Sequence, residues 1–79
     1  MEIKVLGPGC VNCEKLEKEV KDTLAELNIA ADVQKVTDMN QITEHGVMMT
    51  PALVINDEVK VSGRVPKKEE VKKWLQADS

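Results

Sequence analysis

Aromatic residues are almost missing from this chain: among 79 residues there is no tyrosine and no phenylalanine, and Trp74 is the single exception. The sequence therefore offers no stacking platform for bases or sugars, and its core has to be built from Val, Leu, Ile, Ala and Met. An excess of positive charge is missing too. Lys and Glu interleave along most of the chain and the formal charge is −3, which leaves neither a basic stripe for nucleic acid nor a cationic amphipathic helix for a membrane. No apolar run has the length of a signal segment, and Met1 leads directly into EIKVL with no basic leader, so the expected location is the cytoplasm. Histidine is limited to His45, on a short polar stretch where a solvated surface role is the simplest reading. With 42% apolar and 32% charged residues, the chain reads as one globular domain, 1–79, with one core, expected to be a monomer.

Cysteine is nearly absent as well. The only two are Cys10 and Cys13, in the stretch GPGCVNCEKL from Gly7 to Leu16. A structural staple is a poor explanation for them, because a loop this small gives a disulfide only about 2 kcal/mol of chain entropy, against about 3 for a fifteen-residue loop. A reducing compartment argues the same way.

Around that pair the periodicities are clear. EIKVL, Glu2 to Leu6, alternates as a strand and is stopped by Gly-Pro-Gly. From Cys13 onward Leu16, Val20, Leu24 and Leu27 recur at helical spacing, with Asn28 suited to the C-terminal cap. AADVQKV is a second strand, polar enough for a sheet edge. Asp38 is placed to cap a short helix, with Gln41 in capping-box position, Ile42 inward and Gly46 as its stop. ALVI and EVKVS form a hairpin across Asn56-Asp57, and a last helix opens at Pro66 with Val71, Trp74 and Leu75 as its packing face. Met48 and Met49 read as core and rim filler. The order β-α-β-α-β-β-α implies an α/β fold, a mixed four-stranded sheet with helices on both faces.

On this frame the two thiols differ. Cys13 shares the helix face of Leu16, Val20 and Leu24 and is expected to point into the core. Cys10 precedes the first full turn on a glycine and proline loop, where free amide groups and the helix dipole favour a thiolate. It is the expected nucleophile, forming a mixed disulfide that Cys13 then resolves.

GCVNC after the first strand, MTP entering the third and SGRVP before the last helix together resemble the small glutaredoxin-like members of the thioredoxin superfamily. The resemblance covers nearly the whole chain. It implies a minimal thioredoxin-like domain acting as a thiol-disulfide oxidoreductase with Cys10 and Cys13 as catalytic residues. It also implies no cofactor, and partners that are protein disulfides and a disulfide reductase. By motif position it makes Pro51 a cis proline beside the cysteines, Thr50 the residue whose backbone pairs with substrate, and Gly63 the small residue leaving room next to the site. The family's buried carboxylate on the first strand has no counterpart here, where Lys4 stands near that place. The Tyr and Gly-Gly features that grip glutathione are absent too. The alternative from another class is a soft-metal carrier, since heavy-metal-associated domains also place Cys-x-x-Cys after a first strand, but in the order β-α-β-β-α-β.

Overall fold

The computed structural model describes residues 1–9 and 11–77. Its elements follow the expected order: β1 (Glu2–Leu6), α1 (Val11–Leu27), β2 (Asp32–Val36), α2 (Met39–Glu44), β3 (Ala52–Ile55), β4 (Glu58–Ser62) and α3 (Lys68–Ala77). The strands form one mixed sheet in the order β2-β1-β3-β4. β1 runs parallel to β2, as a crossover through α1 requires, and antiparallel to β3, which pairs antiparallel with β4.

Helices cover both faces. Ile3 and Val5 of β1 and Leu53 and Ile55 of β3 meet Leu16, Val20 and Leu24 of α1 and Val71 and Leu75 of α3. On the other face Leu6, Ala52 and Val54 meet Ile42 of α2 and Val47. This is why ALVI carries no polar residue: every position of β3 is buried, alternately against one helical layer and the other. β2 is an edge strand, half-buried only at Val33 and Val36, and it starts at Asp32, two residues later than its apolar content suggests.

The connections depend on backbone chemistry. Asn56 and Asp57 both have positive φ, 50° and 66°, the pair of left-handed residues that a two-residue hairpin needs. Asn28, at φ 57°, closes α1. Asp38 caps α2 by accepting a hydrogen bond from the Asn40 amide at 2.8 Å.

Two further details depart from the sequence reading. EVKVS looks like simple alternation, yet a bulge between Leu53 and Val54 pairs Leu53 with Val61 and Val54 with Val59. The extra residue sends Val59 to the opposite face from buried Val61, where it is 39% exposed. The last helix starts at Lys68 rather than at Pro66. Its start is set by Glu70, whose carboxylate accepts the Lys67 amide at 3.2 Å and both arms of Arg64 at 3.1 and 2.8 Å.

A second carboxylate, Glu26 at the end of α1, ties that helix to α3 through Lys68 and, at 2.6 Å, Lys72. Hydrogen bonds from Lys68 and Lys72 hold Glu26 at about 2, and the Arg64 guanidinium with the Lys67 amide holds Glu70 at about 2, both from an ordinary 4.5. Each folded value lies below the unfolded one, so the stabilisation is complete above pH 4.5 and fades as pH falls through about 2. The melting midpoint should drop across that window, less steeply in a Glu26→Gln/Glu70→Gln double variant, and added salt should narrow the difference because both pairs face solvent. Parallel pH profiles for the two proteins would refute the assignment.

Candidate active site

The site begins where β1 ends. The Gly7 amide donates to the Val36 carbonyl at 2.9 Å, carrying the parallel pairing one residue past the strand, and the chain then turns through Gly9 at φ 97° into α1. Cys13 lies in the first turns of α1, fully buried above Leu16 and Val20 and disulfide-bonded. The only other cysteine in the sequence is Cys10. It lies outside the described residues.

Gly7 is the residue the sequence did not single out. A Cβ on it would lie 2.1 Å from Cys13 Sγ, 3.0 Å from Cys13 Cβ and 3.9 Å from Thr50 Cβ. The first two are far inside contact distance, so the sulfur of Cys13 occupies the space a side chain at residue 7 would need. The same point lies in ordinary contact with Thr50, which places Thr50 and Cys13 on one spot at the end of the sheet. Nothing local in the sequence marks this, because Gly7 does not adopt a positive φ. Its requirement is purely for room.

The third segment is the entry to β3. The Thr50–Pro51 peptide bond is cis, Pro51 is buried, and its carbonyl accepts from the Gly63 amide at 2.9 Å. Gly63 has φ 85°, and a Cβ there would come within 3.3 Å of Met49 Cβ and 3.5 Å of its sulfur. The structure thus joins Cys13 to Thr50 through Gly7, and Pro51 to Gly63 through a hydrogen bond.

Two further sequence readings need correction. Met48 and Met49 are not core residues: they are 97% and 64% exposed, because the chain from Gly46 to Thr50 runs over the surface between Val47 and Pro51, its two buried anchors. His45 is not simply solvated. Its Nδ1 lies 2.8 Å from the Gln41 carbonyl, which can only accept, so Nδ1 carries the proton. Nε2 is left to accept from Lys4 Nζ at 3.5 Å, a contact across from α2 to β1.

Among the described residues no group of three or more His, Cys, Asp or Glu side chains is arranged to hold a metal ion, and no helix is long and apolar enough to cross a membrane. Among the described residues the last element is α3, and α1 is followed by the single strand β2 and by α2 before the β3–β4 hairpin, unlike the metal-carrier order.

This element order, with a buried cysteine in the first turn of α1 and a cis proline at the head of an antiparallel strand, defines the thioredoxin-like class of α/β proteins. The family model described as "Thioredoxin domain" matches residues 1–76. A curated protein named thioredoxin from Methanothermobacter thermautotrophicus is 44% identical over 75 residues, covering 95% of this chain and 97% of its own. Another thioredoxin, from Methanocaldococcus jannaschii, is 37% identical over 75 residues, covering 95% of this chain and 86% of its own. The chain belongs to the thioredoxin family, a family of thiol-disulfide oxidoreductases.

Proposed function

We propose that the protein reduces disulfides in other proteins by cycling Cys10 and Cys13 between dithiol and disulfide. The observation that supports this most directly is the buried, disulfide-bonded Cys13 packed against Gly7 beside Thr50. Its sulfur has no route to a bulky substrate, so it suits a resolving role and leaves attack to Cys10. Cys10 immediately precedes α1, where the unpaired amides of the first turn favour the thiolate.

The cycle then balances. The Cys10 thiolate attacks one sulfur of the substrate disulfide, forming a mixed disulfide and releasing the other sulfur as a thiolate that takes up a proton. Cys13, having lost its own proton, attacks Cys10 Sγ, breaks the mixed bond and frees the second substrate thiol. Two electrons have passed to the substrate, and the Cys10–Cys13 disulfide is recharged by a disulfide reductase. Thr50 offers backbone groups to an extended substrate segment, Pro51 fixes their direction, and Gly63 keeps space beside them. The protein works as a monomeric single domain in the cytoplasm, without metal or cofactor.

Equilibration against a graded thiol buffer should show a reversible two-electron couple, with a tenfold change in ratio for about 30 mV. The reduced protein should also cleave the interchain disulfides of a two-chain polypeptide. A stable one-to-one complex with a soft metal and no such couple would overturn the proposal in favour of a carrier.

A further inference from the structure

We propose that Met48 and Met49 form a peroxide-sensitive modification site, at which conversion of the thioethers to sulfoxides disables docking of protein substrates while sparing the dithiol. This rests on the disulfide-reductase reading above and extends it to regulation. Four methionines occur in the chain, and they are unequally placed. Met1 is half-buried, Met39 on α2 is 56% exposed, and Met48 is 97% exposed. A long apolar side chain almost wholly in water gives nothing to stability where it stands.

The Cβ, Sδ and Cε of Met49 all lie 3.3–3.5 Å from the point where a Cβ on Gly63 would be, so the thioether runs alongside Gly63. Gly63 in turn holds the Pro51 carbonyl. The Met49 side chain therefore borders the Thr50–Pro51 step to which the proposed function assigns substrate docking, and Met48 stands beside it almost wholly in solvent. An unbranched thioether on such a rim adapts to varied apolar side chains.

Hydrogen peroxide is the co-reactant. The sulfur lone pair forms an S–O bond as the peroxide O–O bond breaks; the sulfur loses two electrons, and the second peroxide oxygen leaves as water. A flexible apolar contact becomes a polar one with a strong acceptor, and an apolar segment docked against it would strip its hydration without replacing the hydrogen bonds. The same peroxide that oxidises the dithiol leaves a disulfide that the reductase reverses, whereas a sulfoxide requires a dedicated repair enzyme. The two sulfur chemistries thus differ in persistence.

The test uses the full chain in its disulfide form, which shields both cysteines during peroxide treatment. After removal of peroxide and thiol reduction, peptide mass mapping should find one added oxygen at Met48 and at Met49 ahead of Met1. Reduction of insulin, a polypeptide disulfide, should fall roughly tenfold in kcat/KM, while a small aromatic disulfide that needs no docking should change less than about twofold. A Met48→Leu/Met49→Leu variant should keep its own untreated insulin rate after peroxide, and Met39→Leu should remain as sensitive as the parent protein. Sulfoxide at both positions with insulin reduction undiminished, or equal losses in the Met48→Leu/Met49→Leu variant, would overturn the proposal. Failure of the untreated protein to reduce either disulfide would instead sink the dithiol reading itself, and is seen before any peroxide is added.

Discussion

Replacing Gly7 by alanine is expected to expose the Cys13 thiol and slow protein-disulfide reduction by at least about tenfold, although only one methyl group is added. That methyl would need the space 2.1 Å from Cys13 Sγ, and neither side yields easily. The Gly7 amide is held by Val36, and Cys13 is fixed in α1 with Leu16 and Val20 buried beneath it. Overpacking of this kind costs about 1–3 kcal/mol, but here the strain falls on the sulfur itself, which has to swing out or lift the end of β1. Gly46→Ala supplies the contrast. Gly46 has φ 79° with open space around a would-be Cβ, so alanine there costs a backbone term of roughly 1–2 kcal/mol and leaves the Cys13 environment alone. Thiol alkylation of the two reduced variants separates the cases: faster labelling of Cys13 is expected in Gly7→Ala only. Unchanged labelling in Gly7→Ala would show that the sheet end relaxes around the methyl.

Serine at the two cysteines should produce opposite failures. Cys10→Ser is expected to lose reductase activity on the order of a thousandfold or more, because no nucleophile remains to start the exchange. Cys13→Ser should still attack and then stall, accumulating a covalent complex that a thiol reductant releases. The parent protein should show the matching asymmetry toward an alkylating agent, Cys10 reacting far faster, since Cys13 has no exposed surface. A stalled complex on Cys10→Ser, or equal alkylation rates, would reverse the roles. Trapping with Cys13→Ser in cell extract also identifies the protein substrate.

The fold was legible because its signals are local and repeated. Leu16, Val20 and Leu24 mark one face of α1, Asn56-Asp57 accepts the positive φ values of the hairpin, and ALVI announces a strand with no solvent side. The candidate site was legible where residue type carries the chemistry: two thiols three positions apart, and a proline opening an apolar strand. The missing parts have causes that lie far off in the chain. Gly7 looks like one more loop glycine until the sulfur six residues later is packed against it. The bulge that turns Val59 away from Val61 is decided by β3, and the exposure of Met48 contradicts its hydrophobicity because Val47 and Pro51 already fill the nearby core positions. His45 acquires its role from Lys4, forty-one positions earlier.

The strand order β2-β1-β3-β4 places a seam through the middle of the molecule. On one side are the segments from Glu2 to Val36, carrying Gly7 and Cys13; on the other is the stretch from Ala52 to Ala77, entered through Thr50 and Pro51 and holding Gly63. Along the sheet the two halves are stitched by the antiparallel pairing of β1 with β3. A chain with only its first half formed leaves β1 open on the side where β3 belongs, and leaves Cys13 without Thr50 near it. Thr50 and Cys13 come to one spot only with the closing of the seam, so that meeting also certifies that β1 and β3 have paired.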